Sequence, residues 1–266
     1  MSRLIGLAGI ARSGKDTAAA YLQEMPKVAS FALADPLKLG CQIIFGLSNE
    51  ETWCDSLKET PIQHWRKSPR QLFQMVGTEW MRTFNPDFWL MRAHRVILKH
   101  DYQPLELVVD PKDVVSEFKL ACHVFFQFSK DQLSKADLFN YPDPIWNIAP
   151  SQAIDLLKNL TESSLTNWRS IRSNLPTITP QIPAYPSDAD TLIIKDIRFE
   201  NEAKFIRDHG GEIWHIKRSN AVPVHSHVSE RGIDIRPNDK VIVNDDTLQQ
   251  FKERIYLAWR GEQFNP

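Results

Sequence analysis

The chain has 266 residues, 42% of them hydrophobic, enough to bury a substantial core, and this excludes a disordered tail or a minimal module. Its 32 Lys and Arg against 33 Asp and Glu give a formal net charge of -1, so no overall excess marks a nucleic acid or an acidic membrane as partner. Cys41, Cys54 and Cys122 form neither a disulfide framework nor a zinc-ligand pair, and no run approaches about 18 uncharged apolar residues. The expectation is a soluble cytoplasmic protein that binds neither nucleic acid nor membrane.

Taken in chain order, the opening changes period within two dozen residues. Leu4, Ile5 and Leu7 read as a strand, 9–14 as a turn-prone loop, and the alanine-rich stretch after Thr17 as a helix. A second strand fits 28–32, and Asp35-Pro36 reads as an N-cap with proline at the first helical position, opening a helix through Ile44. Ser68-Pro69 and Asn85-Pro86 repeat that signal and predict helices over 69–83 and 86–98.

The stretch 100–190 breaks the rhythm. It has no glycine, carries Pro142, Pro144, Pro150, Pro176, Pro180, Pro183 and Pro186, and offers one strand at 118–128, so it reads as an insertion or subdomain within a single domain spanning 1–266. Beyond it come a strand from Thr191 to Asp196, a helix over 199–209 stopped by Gly210-Gly211, a strand over 212–217, a last strand over 240–244 and a closing helix over 247–260. Strands alternating with helices predict an α/β fold whose mainly parallel sheet is covered on both faces.

Gly9-Ile-Ala-Arg-Ser-Gly14-Lys15 has the spacing of a phosphate-binding loop and lies between a predicted strand and helix, as that motif requires. Backbone N–H groups and the helix start attract phosphate oxygens, and Lys15 can neutralise the terminal phosphates of a nucleoside triphosphate. Gly9, Arg12, Ser13, Gly14, Lys15, Asp16 and Thr17 are the candidate donor site. Asp16 stands where a hydroxyl usually follows the lysine, so Asp16 and Thr17 are the candidate holders of Mg2+.

Five separated blocks resemble the deoxynucleoside monophosphate kinases of tailed phages and prophages. They are the loop through Thr17; Phe31-Ala-Leu-Ala-Asp-Pro-Leu-Lys38; Arg70-Gln-Leu-Phe-Gln-Met-Val-Gly77-Thr78-Glu79 with Trp89; Asp196-Ile-Arg-Phe-Glu-Asn-Glu202; and His227-Val-Ser-Glu230 followed by Asn244. The resemblance implies a P-loop kinase fold with a central five-stranded parallel sheet, ATP as donor, Mg2+, and a homodimer working in the host cytoplasm if phage-encoded. The reaction it implies moves the terminal phosphoryl of ATP onto the 5′-phosphate of a deoxynucleoside monophosphate.

On that reading Asp35, Lys38, Arg70, Gln74, Gly77, Thr78 and Trp89 form the acceptor side. Positions 70, 74, 77 and 78 share one face of a regular helix, although an ordinary amphipathic helix has the same pattern. Asp196, Arg198 and Glu202 follow an apolar strand, at the edge where open parallel sheets bind ligands. With Lys15 and Arg70 they are the candidate catalytic set, the alternative being an acidic helix start with a surface pair. Asp35 is either a substrate carboxylate or a cap. Arg218, Arg231 and Arg236 are candidate lid cations, or a solvated charged loop. Two other activities stay open: a P-loop kinase acting on dephospho-coenzyme A or a sugar acid, and a catalytically idle nucleotide-binding interaction protein.

Overall fold

The computed structural model describes residues 3–97, 115–178, 180, 188–219 and 232–262. The chain opens with β1 (Arg3–Ala8), α1 (Lys15–Gln23) and β2 (Val28–Ala32). Helices follow: α2 (Asp35–Phe45), α3 (Asn49–Trp53) and, after a 3-10 turn at Leu57–Glu59, α4 (Pro69–Gln74), which runs on into a π-helical stretch, Met75–Arg82. Then come α5 (Phe88–Ile97), α6 (Ser116–Phe126), α7 (Lys130–Ser134), α8 (Ala136–Phe139), α9 (Pro150–Ser164) and α10 (Trp168–Arg172). The last elements are β3 (Thr191–Ile197), α11 (Glu200–Asp208), β4 (Glu212–Lys217), β5 (Lys240–Val243) and α12 (Leu248–Arg260).

The chain divides into two units, residues 1–33 with 185–266, and residues 34–184. In the first unit the five strands form one sheet in the order β2-β3-β1-β4-β5, every pair parallel. Ile5 and Leu7 of β1, Ile193 of β3, and Trp214 and Ile216 of β4 pack against Ala18 and Leu22 of α1 and Phe251 and Ile255 of α12. Gly6 faces the opposite side, where a Cβ would lie 3.3 Å from Ile206 of α11, so helices cover both faces. Gly210, at φ 71°, follows α11, and the Gly211 N–H donates to Ile206 O at 2.9 Å, ending the helix where the glycine pair predicts.

The second unit is helical. Gly40 lets α6 approach the backbone of α2, since a Cβ there would lie 2.0 Å from the Phe125 ring. The orphan carbonyls at the end of α2 are met by side chains: Ile43 O accepts from Arg172 Nε at 3.1 Å, Ile44 O from Trp168 Nε1 at 2.8 Å, and Phe45 O from Trp65 Nε1 at 2.9 Å. Phe88, Trp89, Phe125, Phe126, Phe128 and Trp146 form one aromatic cluster with several edge-to-face contacts. Beside it Asp143 is 3% exposed and accepts from Arg95 Nη2 through both oxygens, at 2.6 and 2.7 Å.

Four expectations need correction. The run 118–128 is not a strand: Phe118 through Phe126 lie in α6, an almost wholly buried helix whose apolar residues on every side hide the helical period. Asp35 is not the cap, because α2 already begins at Asp35 with Ala34 as its N-cap and no side-chain cap bond. The helix predicted from 86 begins at Phe88, since Asn85 Oδ1 accepts from Asp87 N–H at 2.9 Å in a local turn, and residue 98 lies outside the described residues. The helix predicted over 69–83 does start at the Ser68 capping box but widens to a π-helix at Met75.

Candidate active site

The loop between β1 and α1 needs backbone conformations that few side chains tolerate. Gly9 has φ 151°, Arg12 63° and Gly14 104°. A Cβ on Gly9 would lie 2.5 Å from Ile216 O, so the first loop glycine is fixed by the neighbouring strand. Lys15 opens α1 and is 8% exposed; its Nζ donates to Gly9 O at 2.7 Å and Ile10 O at 2.8 Å. The ammonium therefore folds back over its own loop. The N-cap of α1, Gly14, makes no side-chain cap bond, and Ser13 Oγ is buried with no hydrogen-bond partner among the described residues. Both leave polar demand at a helix start, which suits an anion. In the first turn of α1, Asp16 is exposed and Thr17 half-buried.

β3 lies beside β1, so its carboxyl end meets this loop. The β1–β3 register shifts between Gly6 and Ala8, and Asp196 adopts φ 70°. Its carboxylate lies 3.7 Å from Lys15 Nζ and accepts from Arg198 Nη2 at 2.7 Å. Glu202, 2% exposed, accepts from the backbone N–H groups of Arg198 at 2.8 Å and Phe199 at 3.1 Å. Glu202 thus fixes the main chain that carries Arg198. The structure brings Lys15, Asp196, Arg198 and Glu202 together within the first unit. Arg236 lies 3.6 Å from Glu200, while Arg231 and the block from His227 to Glu230 lie outside the described residues.

In the second unit the candidate residues sit on α2, α4, the π-helical stretch and α5. Asp35 and Lys38 pair at 3.8 Å in the first turn of α2, and Lys38 Nζ lies 4.6 Å from the ring centre of Trp53, a residue 42% exposed. Arg70 pairs with Glu59, and Lys58 with Asp55 at 2.9 Å. The Asp55 carboxyl is held below its usual value, chiefly by the Lys58 hydrogen bond and with Arg70 and Lys38 contributing, so these cations share one neighbourhood. Arg70, Gln74 and Thr78 are half-buried. Gly77 departs from their face: the wider π turn buries it, a Cβ there would lie 2.7 Å from Leu37, and its carbonyl accepts from Trp89 Nε1 at 3.1 Å. Trp89 is 4% exposed, edge-on to Phe88 and Phe125.

With this geometry in view, the family model described as deoxynucleotide monophosphate kinase matches residues 3–63 and 177–255, more than half of the chain. The chain belongs to the deoxynucleotide monophosphate kinase family. A protein of Acanthamoeba polyphaga mimivirus, provisionally named for that activity, is 26% identical over 255 residues, covering 95% of this chain and 93% of its own. The deoxynucleotide monophosphate kinases of Escherichia phage RB69 and Enterobacteria phage T4 are 25% and 22% identical, each alignment covering 95% of this chain and 97% of the relative.

The deoxynucleotide monophosphate kinase match includes the phosphate loop, Asp35, Lys38, Asp196, Arg198 and Glu202, but not Arg70, Gln74, Gly77, Thr78 or Trp89. Sequence reasoning assigned no role to Trp53 or Glu59, which neighbour Lys38 and Arg70. Trp53 ends α3, which the Ser48 to Glu51 capping box opens, whereas Glu59 ends the 3-10 turn, whose start has no side-chain cap bond. Asn244 belongs to the last of the five resembling blocks, which by itself assigns it no role. Its Nδ2 donates to Ser13 O at 2.8 Å. Among the described residues no helix is long and apolar enough to cross a membrane.

Proposed function

We propose that the protein transfers the terminal phosphoryl group of ATP to the 5′-phosphate of deoxynucleoside monophosphates, giving ADP and the deoxynucleoside diphosphate. The observation that carries this reading is Lys15, folded over the carbonyls of Gly9 and Ile10 with Asp196 3.7 Å away, at the carboxyl end of a parallel sheet in a chain of this family. On binding, phosphate oxygens take Lys15 Nζ from those carbonyls, and the loop N–H groups hold the donor. An oxygen of the acceptor phosphate attacks the terminal phosphorus as its bond to the bridging oxygen of ADP breaks. Phosphoryl transfer asks little covalent work of the protein, so positioning and charge neutralisation dominate.

Arg198, steered by Asp196 and by the Glu202 cap, presents a planar guanidinium to a phosphate as the transition state spreads its charge. Arg70, Lys38, Gln74 and Thr78 bind the acceptor, with Asp35 orienting Lys38 and with Gly77 and Trp89 shaping that surface from inside the second unit. The donor set also suits Mg2+, a hard cation that takes oxygen ligands: the Asp16 carboxylate and Thr17 hydroxyl would hold it, and when bound it neutralises donor phosphate charge. In this reading the stretch 100–190 is an insertion that scaffolds the acceptor side, and the protein acts as a homodimer on free nucleotides in the cytoplasm.

A coupled ADP-release assay against the four deoxynucleoside monophosphates and their ribose counterparts tests it. The expected result is turnover with at least one deoxynucleotide and a preference of roughly tenfold or more over its ribose partner, the scale a closed pocket gives. Turnover with none of the eight would overturn the reading.

A further inference from the structure

Asn244 is 7% exposed and stands just beyond the carboxyl end of β5. Its own N–H donates to Lys217 O at 2.7 Å, which ties it to the end of β4. From there Nδ2 donates to Ser13 O at 2.8 Å, joining positions 231 residues apart in the chain. A Cβ on Gly14 would lie only 2.3 Å from Nδ2, so the carboxamide fills the space that any side chain at position 14 would need. Two features of the phosphate loop therefore meet one side chain. The glycine requirement at position 14 comes from Asn244 as well as from its φ of 104°.

The consequence follows from peptide planarity. In a trans peptide the carbonyl of one residue and the N–H of the next point in opposite directions. Holding Ser13 O toward β5 turns the Gly14 N–H away from β5, and without the bond this peptide is free to rotate its carbonyl toward an incoming anion. An oxygen there would repel phosphate, whereas an N–H there binds it. We infer that Asn244 is a positioning residue for the donor: it sets the orientation of the Ser13–Gly14 peptide and so the affinity of the loop for the triphosphate. Its role is exerted through the Ser13–Gly14 peptide, not through direct contact with the reacting atoms. This inference rests on the loop being the donor site.

Asn244→Asp tests it most sharply, because the side chain keeps its shape while the donor becomes a carboxylate facing Ser13 O. Asn244→Ser, too short to reach, is the second variant, taken if the first does not fold by circular dichroism. Equilibrium binding of ATP to the full-length protein, with KM values for ATP and for the acceptor, is compared with the parent and with Lys15→Ala. The expected result is ATP affinity weakened about tenfold or more, the scale of an exchanged buried hydrogen bond, with the acceptor KM changed less than about twofold. A purely structural residue would lower the melting temperature without separating the two KM values. Unchanged ATP affinity in a folded variant, or equal weakening for ATP and acceptor, would overturn the inference. If Lys15→Ala binds ATP normally, the donor assignment itself fails, and that outcome is distinct because it appears with Asn244 intact.

Discussion

In the first unit the candidate charges are held by main-chain geometry. Lys15 bonds to two loop carbonyls, Asp196 sits at a register shift with φ 70°, and Glu202 reads the N–H groups of Arg198 and Phe199. In the second unit they sit on regular or widened helices and pair side chain to side chain, Arg70 with Glu59 and Lys38 with Asp35, while Trp89 belongs to the aromatic cluster and donates to Gly77 O. Groups fixed by backbone are preorganised for chemistry, and groups paired through side chains can exchange partners when a substrate arrives. The first unit thus suits the step that must be aligned, and the second suits reversible recognition.

The largest test of this contrast is Lys15→Ala. Removing the cation is expected to lower turnover by about three orders of magnitude or more, because the charge developing on the donor phosphates loses its nearest partner. Stability should change little by comparison, since the ammonium bonds to two carbonyls of its own loop and lies 3.7 Å from Asp196, contacts local to the site. Turnover and thermal melting measured on one preparation decide it, and near-parental turnover would end the donor assignment.

Asp196→Gly comes next. Glycine adopts φ 70° without the penalty of a side chain in the left-handed region, about 1 kcal/mol, which offsets the partly exposed ion pairs lost with the carboxylate. The expected outcome is a variant within about 1 kcal/mol of parental stability whose turnover is at least about a hundredfold lower. A loss of stability well beyond that, with turnover per folded molecule retained, would make Asp196 a structural group.

A third test reaches the interior of the second unit. Burial alone would push the Asp143 carboxyl up, but Arg95, Gln132 and the Trp146 N–H hold it below its usual value. Because the folded value is depressed, the stability it contributes is complete above the ordinary aspartate range, near pH 4, and is lost as pH falls through the lowered value. Asp143→Asn should cost about 3 kcal/mol at neutral pH by leaving Arg95 buried without its counter-charge. It should also flatten the decline of stability below about pH 4, and denaturant melts across that range measure both effects. An unchanged acid limb would assign the acid sensitivity elsewhere.

The same contrast explains what was legible in the sequence. Around the sheet, a motif and the local period agree: the glycines of the phosphate loop, the Asp196-to-Glu202 block and the Gly210-Gly211 stop each impose a backbone conformation that can be read from residue type. In the helical unit they do not agree. The residues of α6 are apolar on nearly all sides, so neither helical nor strand period stands out, and the π-helical stretch after α4 sets Gly77 against Leu37 and its carbonyl against Trp89 Nε1, contacts between distant positions that no local signal announces. Glu59 and Trp53 acquire neighbours only when α3 and the following turn fold against α2 and α4. Asn244 reaches Ser13 because β5 ends two strands away from β1, a fact of sheet order.

The smallest effect is expected at Glu59, and it asks whether the second unit exchanges partners as the contrast implies. Arg70 and Glu59 form an ion pair with side chains 33% and 43% exposed, a setting in which such pairs contribute about 0.2–1 kcal/mol to stability. In the proposed reading Arg70 binds the acceptor phosphate, which carries more charge than one carboxylate, can take two parallel hydrogen bonds from the guanidinium and must displace Glu59 first. Glu59→Gln weakens the competitor and leaves the side-chain length unchanged. The acceptor KM should therefore fall about two- to fivefold, within the energy such a pair can supply, while kcat and the ATP KM stay put. Added salt should shrink the difference between variant and parent, since it screens the parental pair. A rise in acceptor KM would mean that Glu59 holds Arg70 in the orientation the phosphate needs, and the second unit would then be preorganised like the first.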